Sequence, residues 1–241
     1  MARNSTKKIA LVTGASRGIG KEVSLLLAKN NVHVILLART IGALEEISDN
    51  IIDLGGSSTI VQMDLNNLNS IFQLSKEIDE RWGRLDILIA NAGYLHNLTP
   101  MSHISEKDWQ LSFNINLNSN WFLIKHLENL LLKSNFGRAV FLTSGASLGH
   151  RPFWGAYAVS KAALDAMIRA WSSEMKETNL KINLYDPGAT RTQMRTRAYP
   201  GEDPHSLKSP REAANDILKF CDEQYKISGE RLVYKKIKND V

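Results

Sequence analysis

The stretch KIALVTGASRGIG, residues 8–20, decides the fold. Lys8 to Thr13 is a short apolar run that stops at a glycine cluster, the pattern of a buried strand. From Gly18 to Asn30 the apolar residues Ile19, Val23, Leu26 and Leu27 recur at a helical period. Between them Gly14, Gly18 and Gly20 are spaced G-x-x-x-G-x-G rather than the commoner G-x-G-x-x-G. Glycines there permit a tight turn and close approach to the backbone, and the N-terminus of the helix offers N–H donors to a phosphate. A nucleotide cofactor is expected on Gly14, Ser16, Arg17, Gly18, Ile19 and Gly20.

Outward from this unit the pattern repeats. Further strands are expected at Val32–Leu37, Ser58–Asp64, Leu85–Ala90, Arg138–Thr143, Lys181–Tyr185 and Arg231–Tyr234. Helices are expected at Ile41–Leu54, Leu68–Trp82, about Ser105–Lys133, about Gly155–Glu177 and Glu212–Cys221. Strand alternating with helix demands right-handed crossovers and a parallel sheet, here of about seven strands, with helices on both faces. The fold class is α/β, doubly wound. No linker or low-complexity segment interrupts the chain, so residues 1–241 read as one dinucleotide-binding catalytic domain. The irregular region is Thr190 to Pro210, where Pro200, Pro204 and Pro210 break any long helix. It follows a strand end, where ligands of open α/β sheets bind, and reads as a substrate loop.

Composition narrows the classes. The 241 residues are 43% hydrophobic and 23% charged, ordinary for a globular protein with a sizeable core. A single cysteine, Cys221, excludes an intrachain disulfide framework and fits a reducing compartment. No apolar run approaches the ~20 residues of a membrane span. The run after the basic N-terminus is too short for a secretory signal. A cytoplasmic protein without membrane contact is expected. The net charge of +5 is scattered, with no run of five or more basic residues, so nucleic acid is not an expected partner; no zinc-type motif appears either.

The identity of the cofactor rests on charge. NAD enzymes place an acid near the end of the second strand for the ribose 2′-hydroxyl. Here that place reads Leu37-Ala38-Arg39-Thr40, and Arg17 adds a second cation from the glycine loop. Two guanidinium groups suit a 2′-phosphate, so NADP(H) is favoured over NAD(H). Asp64-Leu65 and Asn91-Ala92-Gly93 close the third and fourth strands at the same sheet edge, placed either to meet the adenine half or to make strand-end turns.

A second stretch, SGASLGHRPFWGAYAVSK at 144–161, carries a hydroxyl, a phenol and an ammonium at Ser144, Tyr157 and Lys161. Tyr157 and Lys161 stand at i and i+4 and share a helix face. A phenol titrates near ~10, and a nearby cation favours its ionised form, which suits proton transfer. The same spacing also describes a half-buried tyrosine beside a solvated lysine.

Taken together, TGASRGIG at 13–20, Asp64, NAG at 91–93, Asn116, Ser144, Tyr157, Lys161, and Pro187-Gly188 followed by Thr192 resemble the short-chain dehydrogenase/reductase family. They stand in its order and approximate spacing from Lys8 to about Met194. The resemblance implies a Rossmann-type sheet and a catalytic tetrad. Tyr157 would be the general acid in reduction, and Ser144 would hold the substrate oxygen. Lys161 would bind the nicotinamide ribose and lower the Tyr157 pKa, and Asn116 would help hold a relay water, with Asn114 and Asn118 as neighbours by spacing. Pro187 would be among the cofactor-binding residues, with the backbone around Gly188 to Thr190 meeting the carboxamide and Thr192 the phosphates. A homodimer or homotetramer is implied by analogy. Trp154-Gly155-Ala156 before Tyr157, and GATRTQMR at 188–195, resemble a bacterial branch of oxidoreductases without a firm substrate assignment. Departures from the wider pattern are Gly145 after Ser144, Asp186 before Pro187, and a basic tail at 234–241.

The expected function is an NADPH-dependent oxidoreductase moving a hydride between the nicotinamide and a small carbonyl or alcohol substrate. Its rivals are a 3-oxoacyl-[acyl-carrier-protein] reductase and a non-catalytic NADPH-binding sensor or scaffold. The substrate wall is expected from His150, Arg151, Phe153 and Trp154, from Tyr94 to His96, and from 190–210. Arg151, Arg191, Arg195 and Arg197 suit an anionic group there, or are simply solvated.

Overall fold

The computed structural model describes residues 7–149 and 151–234; His150 and the tail from 235 onward lie outside them. The strands are β1 (Lys8–Thr13), β2 (Val32–Ala38), β3 (Ser57–Gln62), β4 (Ile87–Ala90), β5 (Arg138–Leu142), β6 (Lys181–Asp186) and β7 (Arg231–Val233). They form one parallel sheet in the order β3-β2-β1-β4-β5-β6-β7. The chain winds outward from β1 through β2 to β3, then returns to pair β4 with β1 and winds the other way. The switch between β1 and β4 opens a crevice at the carboxyl ends of the strands.

Period-2 alternation explains why the strands read as unbroken apolar runs. Ala10 and Val12 face α1 (Gly18–Lys29), α2 (Ile41–Asp53) and α8 (Pro210–Phe220), packing with Val23, Leu44, Ile47 and Ile217. Ile9 and Leu11 face α3 (Ser70–Trp82), α5 (Ser119–Leu132) and α6 (Gly155–Glu174), packing with Leu74, Leu127 and Ile168. Each such fully buried aliphatic side chain stabilises the fold by ~1.5–3 kcal/mol before chain entropy is subtracted.

The amino end of the sheet is closed by two buried charges. Asp86 accepts from the Ile9 amide at 2.7 Å and the Ser134 hydroxyl at 2.6 Å, and pairs with Arg84 at 3.0 Å. Among the described residues Arg138 donates only to main-chain carbonyls, those of Phe136, Gly137, Asn179, Asp222 and Glu223. Satisfied in this way, neither leaves the uncompensated charge that makes burial costly.

Three segments differ from the sequence expectation. The helix expected over 105–133 is α4 (Glu106–Phe113) and α5 joined by a π-helical turn, Asn114–Asn118. Such a turn accommodates one extra residue, which periodicity does not signal. The region read as irregular contains α7 (Gln193–Ala198), capped by the Thr192 hydroxyl, and a short turn at Pro204–Ser206. Pro210 does not break α8 but begins it: Ser209 and Glu212 form a reciprocal capping box, and proline fits the first helical position.

Gly14 and Gly20 are the two glycines on which the first turn depends. Gly14 has φ +65, and a Cβ on it would lie 2.9 Å from Asn91 Nδ2. A Cβ on Gly20 would lie 2.3 Å from the Gly14 carbonyl oxygen and 2.5 Å from Asn91 Nδ2. Gly20→Ala is therefore expected to destabilise the protein by about 1–3 kcal/mol through overpacking, read as a lower urea midpoint at unchanged m-value.

Candidate active site

The crevice between β1 and β4 continues into a cleft of about 860 Å³ along the carboxyl edge of the sheet. Its nucleotide end is built around β1. The Thr13 hydroxyl accepts from the amides of Asn91 and Ala92, each at 3.0 Å. Asn91 Nδ2 returns bonds to the carbonyls of Thr13 at 2.9 Å and Gly14 at 3.1 Å. Asn91 thus fixes the glycine turn from the neighbouring strand end, and Thr13 is a brace that the sequence reading did not single out.

Gly14, Ser16, Arg17, Gly18 and Ile19 line the cleft; Gly20 lies beneath the turn. Arg39, Asp64, Leu65, Asn91, Ala92 and Gly93 line the same end. Arg17 and Arg39 are exposed, and neither forms an ion pair with a carboxylate among the described residues. Asp64 is exposed, with its carboxylate accepting from the Asn66 amide at 2.9 Å.

Farther along, Ser144, Tyr157 and Lys161 share one wall. Ser144 caps the turn Gly145–Leu148, accepting from the Ala146 amide at 3.2 Å. Tyr157 and Lys161 lie on one face of α6 and are 6% and 3% exposed, so neither is a solvated surface pair. Trp154 packs edge-on against the Tyr157 ring at 5.7 Å. Burial pushes the Tyr157 phenol up to about 12; the Ser144 hydroxyl pulls the other way and the Asp186 carboxylate adds to the rise. Burial outweighs the lowering expected from Lys161, which does not figure among the charges acting on the phenol. Burial also brings the Lys161 ammonium down to about 8, opposed by Asp165. That ammonium donates to the Leu142 carbonyl at 2.7 Å.

Asn116 is not brought to the cleft wall. The π turn directs it inward, where its side chain accepts from the Tyr94 amide at 2.8 Å and donates to the Tyr94 carbonyl at 2.9 Å and Ser160 at 3.0 Å. Asn114 and Asn118 form a separate chain with Asn66. By spacing Asn114 and Asn118 compete with Asn116; burial separates the three, with Asn116 alone fully buried among them. Pro187, Gly188, Thr190 and Thr192 all line the cleft, with Gly188 at φ +60 and its amide donating to Asp186 at 2.9 Å.

At the substrate end Tyr94, Leu95, Arg151 and Trp154 line the cleft. His96 is buried away from it, and the Phe153 side chain is 55% exposed outside it. Tyr94 donates to Asp108. Of the four arginines suited to an anion, Arg195 is neutralised: it donates twice to Glu202 at 2.5 Å and lies over the Tyr199 ring at 4.0 Å. Arg151 lies over the Trp154 ring at 5.8 Å, and Arg151, Arg191 and Arg197 form no ion pair among the described residues. No cluster of potential metal ligands occurs among the described residues, and none of their helices is long and apolar enough to cross a membrane.

The family described as short chain dehydrogenase matches residues 8–203. An uncharacterized oxidoreductase of Escherichia coli (strain K12), YciK, is 37% identical over 206 residues, covering 84% of this chain and 81% of its own. A 3-oxoacyl-[acyl-carrier-protein] reductase of Synechocystis sp. is 32% identical over 190 residues, covering 78% of this chain and 76% of its own. A short chain dehydrogenase of Shigella flexneri 2a, solved in complex with NADP, superposes with a TM-score of 0.90 at 36% identity, covering 94% of this chain and 96% of its own. Together with the placement of the glycine turn, Ser144, Tyr157 and Lys161 along one cleft, these matches establish that the chain is an oxidoreductase belonging to the short-chain dehydrogenase family.

Proposed function

We propose that the protein is an NADPH-dependent carbonyl reductase, working reversibly on the corresponding alcohols. One observation carries the reading. Ser144, Tyr157 and Lys161 share a wall of the cleft whose other end presents a glycine turn and two arginines with no acidic partner among the described residues. The donor set fits a dinucleotide. Gly14 and Gly18 at positive φ leave the backbone bare, and the N-terminus of α1 faces the turn. Arg39 stands where an acid would hold a free 2′-hydroxyl, so the phosphorylated nucleotide is the better complement. The solved Shigella flexneri relative in complex with NADP agrees with that choice.

The nicotinamide, when bound, supplies the hydride. The residues of this chain supply orientation and a proton. Tyr157, held up to about 12, carries its proton at neutral pH and is set to donate it to a carbonyl oxygen. Ser144, on the same wall, donates a second hydrogen bond to that oxygen as it gains negative charge. The Lys161 ammonium, fixed by Leu142, has N–H groups left for the ribose. The Pro187–Thr192 segment forms the floor, and Asn116 acts from behind by holding Tyr94. Trp154 and Tyr94 give the substrate an apolar and aromatic wall, and Arg151 and Arg197 remain for an anionic portion.

The protein is further proposed to act as one domain in a reducing cytoplasm, consistent with one buried thiol at Cys221, and to form a homodimer or homotetramer. Exposed Trp109 on α4 and Trp121 on α5 give a second copy an apolar face to cover.

Three measurements test the reading. Turnover of a carbonyl panel, followed at the nicotinamide absorbance, should fall by about 10²–10⁴ in Tyr157→Phe; undiminished turnover on every accepted carbonyl would remove Tyr157 from the chemistry. Calorimetry should show NADPH binding at least about tenfold tighter than NADH, with Arg39→Asp erasing the difference; tighter NADH binding by the unmodified protein contradicts the cofactor assignment. The third concerns Lys161, whose folded pKa of about 8 lies below its ordinary 10.5. The unfolded chain therefore binds more protons than the folded one between those values, and stability rises with pH through that window. The unfolding free energy of the unmodified protein relative to Lys161→Met should climb from pH ~8 to ~10, by at most about 3 kcal/mol.

A further inference from the structure

Beside the Ser144 wall a group of buried charges extends from the cleft-lining Asp186 and Lys161 to Asp165 and Arg231, two groups that the reaction as described does not use. Asp165 on α6 and Asp186 at the end of β6 are both buried. Arg231, the first residue of β7, lies between them. Its Nη2 donates to Asp186 Oδ2 at 3.0 Å and to the Ser144 carbonyl at 3.0 Å, with the Ser147 hydroxyl at 3.5 Å. Its Nε stands 3.2 Å from Asp165 Oδ2 without an aligned N–H, so that contact is Coulombic rather than a hydrogen bond. Asp165 in turn accepts from Thr143 and, at 2.7 Å, from Ser147, the residues that flank the Ser144–Ala146 corner. The other oxygen of Asp186 accepts from the Gly188 amide at 2.9 Å. Lys161 and Arg231 thus face Asp165 and Asp186, with Lys208 as a further cation acting on Asp186, in a place where an unpaired charge is costly.

We propose that Arg231 is a positioning residue of the active site, clamping the Ser144 main chain to the Asp186–Gly188 turn so that the carbonyl-binding hydroxyl and the floor of the cleft keep a fixed separation. The inference rests on the reading that Ser144 holds the reacting oxygen. A guanidinium is suited to the task because its planar fork serves several acceptors at set angles, which an ammonium cannot reproduce. It also gives the three-residue β7 a part in the site. Leu184 pairs with Arg231 and Asp186 with Val233, so the strand register delivers the guanidinium to Asp186. Arg231 lies beyond residues 8–203, the span that matches the family.

The test uses the full-length chain as Arg231→Lys and as the charge-balanced double variant Arg231→Met/Asp186→Asn, in which the amide oxygen still accepts from Gly188. Amide hydrogen exchange is read without nucleotide, and kcat and KM for NADPH on the fastest carbonyl of the panel. In the double variant, exchange over 143–149 and 186–190 should rise by about tenfold or more while β1 and β4 keep their protection. kcat should fall by about tenfold or more, a larger factor than any rise in KM for NADPH. Arg231→Lys should lie between, keeping the charge and losing the fork. A double variant that exchanges and turns over like the unmodified protein would reduce Arg231 to a charge balance and overturn the proposal. If the double variant does not fold, Arg231→Lys decides alone: unchanged exchange over both segments overturns it. If no carbonyl is turned over, exchange decides. Should Tyr157→Phe retain full activity, the catalytic reading fails whatever the exchange shows. Should Tyr157→Phe be inactive while the Arg231 variants match the unmodified protein, only the positioning role fails.

Discussion

The side chain of Asn91 reaches from the end of β4 to the carbonyls of Thr13 and Gly14, while Thr13 receives the amides of Asn91 and Ala92 in return. This reciprocal set of bonds ties together the two strands between which the sheet reverses its winding. At a reversal the connections on either side lead away from each other, and the ladder that pairs the strands as far as Thr13 and Ala90 does not reach the turns beyond them. The Asn91 amide fixes the first of those turns, and it fits only because Gly14 and Gly20 have no side chains in its path. The shape of the nucleotide end follows from that one contact, and the remaining cleft residues are hung from strand ends on either side of it.

Charge is handled differently at the two edges of the sheet. At the amino edge Asp86 and Arg138 also reach across elements, but mainly to uncharged groups: Asp86 takes the Ile9 amide and the Ser134 hydroxyl besides its pair with Arg84, and Arg138 the carbonyls of Asn179, Asp222 and Glu223 besides those of Phe136 and Gly137, an arrangement that stabilises without leaving anything for a ligand. At the carboxyl edge the buried ions are shared across elements: Lys161 and Asp165 come from α6, Asp186 from β6 and Arg231 from β7. What sets the carboxyl edge apart is that its ions pair with one another, so a shift of any one element strains several charged contacts at once. The cleft edge is therefore electrostatically stiff where Ser144 and Gly188 lie. It is left open where Arg17 and Arg39 stand without carboxylate partners among the described residues.

Most of the fold was legible in the sequence because both sheet faces are covered. Strands such as Lys8–Thr13 and Val32–Ala38 read as unbroken apolar runs, and their helices kept a clear 3.6 period. What could not be read were features set by partners distant in sequence or by capping geometry. Glu202 neutralises Arg195 only because the chain turns back after the end of α7, and nothing in GATRTQMR announces a helix of that length. Pro210 reads as a breaker until Ser209 and Glu212 are seen as a capping box. Ser144, Tyr157 and Lys161 were legible as a motif, but the sign of the shift at Tyr157 was not. Nearness to an ammonium can be guessed from spacing; the depth of burial that outweighs it cannot. The link from Asp186 to Arg231 spans the last crossover and has no local signature.

The π turn at Asn114–Asn118 gives the long helix two phases on one axis. A regular helix advances about 100° per residue, so removing the extra residue would rotate everything beyond it by that angle relative to α4. Leu123, Leu127 and Leu131 would swing off the sheet, or Ser105 and Trp109 would turn from their present surroundings; one rod cannot satisfy both registers. The irregularity is thus what allows a single uninterrupted helix to serve two neighbours of incompatible phase, and Asn116 occupies the one position that belongs to neither.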